Sequence, residues 1–132
     1  MTAMGVMQPV DEATPRPAAR PIDMMHLVKQ ALGDSGLELE ILRTFDEIVG
    51  AHYAHLEEST TVPELQHHLH IIKGAAAGVG AWSLAEHAHV METELKNGEP
   101  VNPERVSDIH MAVEEVRAFV ADRLATADEE LL

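Results

Sequence analysis

Between residues 37 and 124 the apolar side chains recur at intervals of three and four, in four successive runs, a period that suits helices and not strands. The first run is Leu37, Ile41, Leu42, Phe45, Ile48, Val49, His52 and Leu56, and the second Leu65, Leu69, Ile72, Ala76 and Val79. Leu84, Ala88, Met91 and Leu95 make the third, and Val106, Ile109, Val113, Val116, Val120 and Leu124 the fourth. No stretch alternates with a period of two, and no block repeats at a fixed interval. The composition agrees: 45% of the residues are hydrophobic but only 3% aromatic, so the interior is built from Leu, Ile, Val, Ala and Met, which suit packed helices.

The breaks between runs carry their own signals. "TVPE" has the form of a capping box, with Thr61 accepting from the amide of Glu64 and that carboxylate reaching back. The helix it opens should run to about Val79 and stop at Gly80. "SLAE" predicts a second box, Ser83 with Glu86, and Asn102 with Pro103 opens the last helix. Gly50 costs the first long helix about 1 kcal/mol relative to Ala, and a local bend is expected there. Upstream, Ile22, Met25, Leu27, Val28 and Leu32 fit a short amphipathic helix ended by Gly33, after which Asp34 or Ser35 caps the next. Residues 1–21 hold Pro9, Pro15, Pro17 and Pro21 and read as a flexible tail. The expectation is an all-α protein: an antiparallel four-helix bundle over 22–126, with the short N-terminal helix laid across one end and a frayed acidic end over 127–132. At 132 residues there is room for one core.

Nine Lys and Arg against 23 Asp and Glu give a formal charge of −14, and the bases do not cluster. Phosphate backbones and anionic lipid surfaces are therefore poor partners, and no nucleic-acid or membrane role is expected. There is no cysteine, hence no disulfide or thiol chemistry, which favours the cytoplasm only weakly. The N-terminus lacks a positive region followed by an apolar run, and nowhere do 18 apolar residues follow one another, so a soluble, unprocessed chain is expected.

The stretch "LHIIKGAAAGVG", residues 69–80, raises the functional question. At 100° per residue, with Leu65 at zero, Leu69, Ile72, Ala76 and Val79 fall within about 40° of Leu65. Gln66, His67, His70, Lys73, Gly74 and Ala77 occupy the other side, between roughly 80° and 200°. His70 thus faces water on a rigid helix, with Lys73 one turn on and small residues above it. A neutral imidazole nitrogen is a good nucleophile near pH 7, and its phosphoramidate gives the phosphoryl group up readily. Transfer to another protein needs close approach, which Gly74 and Ala77 permit. An ammonium about 5 Å from the phosphoryl contributes about 1 kcal/mol in water, and about 3 once a docked partner excludes solvent.

His70, Lys73, Gly74, Ala75, Ala76, Val79 and Gly80 resemble the H-x-x-K-G-(small)-(small)-x-x-(aliphatic)-G signature of histidine-containing phosphotransfer (HPt) domains. "GAWSLAEHAHVMETEL" is similar to the family segment that follows, and "IDMMHLVKQALGDSGLELEILRTF" to its opening helix, Gly-Asp turn and second helix. The likeness covers about residues 22–122. It implies a monomeric relay protein that exchanges a phosphoryl group with receiver-domain aspartates, fed by a sensor histidine kinase, plain or hybrid. It needs no intrinsic cofactor, and Mg²⁺ is held by the receiver. By position His70 is the phospho-acceptor, usually through Nε2, Lys73 the phosphate-side cation and Gly74 the clearance residue. Gln66, His67 and Ala77 share the docking face, and His67, inside "QHHLH", either tunes or competes with His70.

Rival readings remain. Glu64-x-x-His67 and Glu86-x-x-His89 have the spacing of carboxylate-bridged di-metal bundles. Yet the apolar stripes turn both pairs away from the core, and both glutamates are claimed by the predicted capping boxes; no metal ligand is assigned. A degenerate relative that docks partners without carrying phosphate is a second alternative. A sensor-kinase dimerisation region is a third, but the acid and proline usual after its histidine do not follow His70. No glycine-rich ATP-binding boxes occur, so the phosphoryl group must come from a partner. His52 and His68, on or beside the core stripes, are read as hydrogen-bonded packing residues, while His26, His55, His87, His89 and His110 are given no role.

Overall fold

The computed structural model describes residues 20–131, with side chains to Asp128, and all of its regular structure is helical. Most of the tail read over 1–21, and Leu132, lie outside the described residues. Five helices follow in order: α1 Met24–Gln30, α2 Ser35–Glu58, α3 Val62–Val79, α4 Trp82–Lys96 and α5 Pro103–Leu131. Each long helix packs on two others, α3 on α2 and α4, and α5 on α2 and α4, while α1 leans on α2 and α3. Among the described residues, no helix is long and apolar enough to cross a membrane.

Local chemistry explains the boundaries. Asp23 and Asp34 cap α1 and α2, accepting from the amides of His26 at 3.2 Å and Leu37 at 3.0 Å. Thr61 accepts from the Glu64 amide at 3.3 Å, and the Glu64 carboxylate takes the amides of Thr60 and Thr61 at 2.9 and 3.3 Å, completing the capping box. Gly80 ends α3 in the left-handed region, φ 84°, and the Ala81 amide reaches back to the Ala76 carbonyl at 2.8 Å. Asn102 opens α5 by accepting from the Glu104 amide at 2.9 Å.

The core is built from the predicted stripes: Leu42, Phe45, Val49 and Leu56 of α2, Leu69, Ile72, Ala76 and Val79 of α3, Leu84, Ala88, Met91 and Leu95 of α4, and Ile109, Val113, Val116 and Val120 of α5 are all buried. No buried residue among those described is polar.

Four expectations need correction. The Ser83–Glu86 box does not form: α4 starts at Trp82, behind Ala81, which has no side-chain cap. The tight turn at Gly80 buries Ala81 and begins the helix too early for Ser83 to stand outside it. In α1, Met25 and Val28 are exposed, as is Leu32 beyond its end, while Leu27 and the C-cap residue Ala31, one turn apart, are buried, because so short a helix turns little more than one position toward the core. Leu37 and Val106 are also exposed, at the ends of their stripes. Gly50 leaves α2 unbroken; a Cβ there would meet the Arg117 guanidinium at 2.8 Å, so the glycine makes room for the pair that Arg117 forms with Asp46. Helix α5 extends to Leu131, into the segment 127–132.

One junction positions the rest. The Gly80 carbonyl accepts from the Asp23 amide at 2.9 Å, and the Asp23 carboxylate accepts from Trp82 Nε1 at 3.0 Å. That hydrogen bond, foremost, holds the Asp23 carboxyl below its ordinary range, helped by the His26 amide. The start of α1 is thereby pinned to the α3–α4 turn, at the C-terminal end of the helix that carries His70.

Candidate functional site

On α3 the buried stripe fixes which way everything else points. With Leu69, Ile72 and Ala76 fully buried, His70 projects outward and its side chain keeps 69% of its exposure. Lys73, one turn on, lies against α4 and is half-buried. Beside it stands Glu92 of α4, next in sequence to the buried Met91 and therefore held at the α3–α4 seam.

Glu92 joins the two. Its Oε2 is 3.1 Å from His70 Nδ1, and its Oε1 is 2.8 Å from Lys73 Nζ. Oε1 is itself buried, and the lysine contact is an ion pair without the alignment of a good hydrogen bond. Burial pushes the Glu92 carboxyl up, but the contacts and charges of Lys73 and His70 outweigh it and hold the group below its ordinary value. An ionised carboxylate only accepts hydrogen bonds. The neutral His70 ring is thereby assigned its proton on Nδ1, leaving the lone pair on Nε2.

The surroundings of this imidazole are bare. A Cβ added at Gly74 or at Gly78 would meet nothing within 4 Å, so no contact inside the chain requires glycine at either place. Gly74, in the helix interior, costs α3 about 1 kcal/mol relative to Ala. Gly80 differs: besides its positive φ, a Cβ there would come within 3.0 Å of the Asp23 Cβ and 3.1 Å of the Asp23 carbonyl. The small residues of α3 also form one wall of an open apolar groove, Ala75 and Gly78 facing Leu37, Ile41, Phe45 and Ile48 of α2.

The other residues singled out from the sequence are placed as follows. Gln66 and Ala77 are half-buried and His67 is exposed, all on α3. His67 does not approach Glu92; its ring packs instead against His68, with centroids 5.0 Å apart, and stands 6.2 Å from His52. His52 and His68 are joined through their Nδ1 atoms at 2.9 Å. In the Glu-x-x-His pairs, the Glu64 carboxylate is spent on the Thr60 and Thr61 amides, while Glu86 and His89 are exposed on α4. Among the described residues, no three ligating side chains converge as a metal site would require.

Glu92 is the residue that sequence reasoning passed over. It lies within the stretch "GAWSLAEHAHVMETEL", but its role depends on the register of α4 against α3. The available signal was its place directly after Met91, at the edge of a core stripe, where a charged side chain flanks the neighbouring helix.

Comparison with known families gives a match to the Hpt domain model over residues 27–119, which takes in most of α1, all of α2, α3 and α4, and much of α5. No curated protein and no solved structure matches the chain.

Proposed function

The chain belongs to the Hpt domain family, and we propose that it is a phosphocarrier whose His70 takes a phosphoryl group from the aspartate of one receiver domain and yields it to another. The four long helices then serve as an antiparallel four-helix bundle that keeps the accepting side chain rigid and outward. The observation that carries the reading is the bridging of His70 and Lys73 by Glu92, beside a surface cleared by Gly74 and Gly78.

The chemistry follows from that arrangement. The Nε2 lone pair attacks phosphorus, the N–P bond forms, and the P–O bond to the receiver aspartate breaks, returning a carboxylate. The imidazole then bears a proton on Nδ1 and the phosphoryl on Nε2, and so gains positive character. Glu92, already 3.1 Å from Nδ1, balances that charge and keeps the ring from turning. Lys73 is shared: paired with Glu92 in the free protein, it stands close enough to turn toward the incoming phosphoryl oxygens. In this reading Mg²⁺ comes with the receiver, as the resemblance to the family implies.

The receiver lands on the cleared face, with Gly74, Ala77, Gln66 and His67 under it and the apolar groove between α2 and α3 to one side. A kinase supplies the phosphoryl group by way of a receiver. The test is incubation with a phosphorylated receiver domain. Wild-type chain should accept acid-labile phosphate, and His70→Ala should accept none. Label retained by His70→Ala assigns the acceptor elsewhere, and an unlabelled wild type makes the chain a docking relative that carries no phosphate.

A further inference from the structure

Four of the eight imidazoles not used for phosphoryl transfer are gathered in one place. His52 and His55 of α2 meet His67 and His68 of α3 at the seam between the two helices. Ring centroids lie 5.1 Å apart for His52 and His68, 5.3 Å for His55 and His68, which are stacked, and 5.0 Å for His67 and His68. At its centre, Nδ1 of His52 and Nδ1 of His68 are 2.9 Å apart, a distance that requires one to donate and the other to accept. That pair tolerates one added proton, as imidazolium bonded to imidazole. A second proton sets two N–H groups against each other and breaks it.

We infer that these four imidazoles form an acid-sensitive latch between α2 and α3, closed while the His52–His68 pair holds at most one added proton, and opened by a second. The inference rests on the reading of His70 as phosphoryl acceptor for its consequence: His67 belongs both to the cluster and to the docking face, one turn before His70 on the same helix. Opening the seam frees the N-terminal half of α3 and withdraws that face from its partner.

The groups facing the pair come from both helices. His55 acts on it from α2, and His67 and Glu64 from α3. Glu64 is the carboxylate that favours a charged His68, but it is already engaged by the Thr60 and Thr61 amides. Glu58 lies 3.8 Å from His55, on an exposed edge. Farther round α2, Tyr53 and His110 of α5 close on each other at 2.7 Å, beside Glu57 and Glu114. Burial, and then the neighbouring imidazoles, hold both His52 and His68 below the ordinary histidine value of 6.5. The folded seam therefore binds fewer protons than the open one. Its stability is complete above about pH 6.5 and is lost as the pH falls from there through the lowered values.

The test uses the full chain and the double variant His52→Gln/His68→Gln, with amide protection factors along α2 and α3 measured at pH 7.5 and 5.5. Wild-type protection at the seam should fall by about tenfold per pH unit for each further proton that the open form takes, and the double variant should stay within about twofold. Should the double variant fail to fold at pH 7.5, His55→Gln replaces it, and a diminished acid loss is expected. An equal acid loss in wild type and variant overturns the latch. The initial rate of receiver-dependent labelling is followed alongside, with the variant at each pH as the control for acid lability of the phosphoramidate. Labelling that falls in wild type more than in the variant supports the regulatory consequence, whereas a loosened seam with unchanged relative labelling removes it. Absence of labelling at both pH values overturns the phosphocarrier reading, and the protection factors still decide the latch.

Discussion

His68 and His70 stand two residues apart on α3, and their partners make them different chemical groups. His68 turns toward α2 and leans on a second imidazole at 2.9 Å, part-buried among rings that resist further charge. His70 turns toward α4 and leans on a carboxylate at 3.1 Å, exposed, with an ammonium sharing the same anchor. An imidazole facing an imidazole has an exchangeable donor and acceptor role and no compensation for added charge. Facing a carboxylate, it has a fixed tautomer and a counter-charge for whatever Nε2 acquires. Helix geometry alone sends the two rings about 160° apart, so one sequence run builds both environments.

The comparison breaks most sharply on substitution of the two rings. His70→Gln should reduce labelling by a phosphorylated receiver to background, while His68→Gln at pH 7.5 should leave it within about twofold, because only one ring presents an oriented Nε2. Equal losses would mean that the two rings do not differ in role. The glycines sharpen the same contrast between surface and scaffold. Gly74→Leu should abolish receiver-dependent labelling yet leave thermal stability unchanged or raise it by up to about 1 kcal/mol, since leucine is the better helix former and the space there is open. Gly80→Leu should instead destabilise the fold by about 1–3 kcal/mol, because φ is positive and Asp23 and His26 crowd the position.

A smaller effect is expected from the anchor. Glu92→Gln keeps an acceptor near Nδ1 but removes the counter-charge, and should slow labelling about tenfold to a hundredfold, the range found for carboxylates that orient metal-bound imidazoles. Circular dichroism should show the helices intact. An unchanged rate would reduce Glu92 to packing.

The mildest test is the order in which the two sites yield to acid. The lowered His52 and His68 values make the α2–α3 seam lose stability below about pH 6.5. The lowered Glu92 value has the opposite chemistry: its contribution is complete above the ordinary carboxyl value of 4.5 and is lost only as the pH falls below that. Nuclear magnetic resonance titration of the His52, His68 and Glu92 side chains should therefore show the α2–α3 seam changing first. Simultaneous change, or the reverse order, would show that the two environments do not act separately.

Much of the scaffold was legible in the chain because it depends on local rules. The buried stripe of α3, the Thr61–Glu64 box and the stop at Gly80 all follow from residues within a few positions of each other. Errors arose where a neighbouring element intervenes. Ser83 fails as a cap because the turn that pins Asp23 to Gly80 starts α4 two residues early. Leu32 is outside the core because α1 ends before reaching it. At the site, the exposure of His70 and the clearing around Gly74 could be read from the periodicity of one helix. Glu92 could not, because it reaches His70 across 22 positions of sequence and only the register of α4 on α3 brings them together. The engagement of Lys73 by that same carboxylate was hidden for the same reason.

The central claim is that Nε2 of His70 carries the phosphoryl group while Nδ1–H stays on Glu92. The most direct measurement is correlated ³¹P and ¹⁵N nuclear magnetic resonance of the full chain after labelling by a phosphorylated receiver. The account predicts one phosphoramidate, with phosphorus coupled to Nε2 of His70 and a proton retained on Nδ1. Phosphorus coupled to Nδ1 of His70, or to any nitrogen of His67, would contradict it.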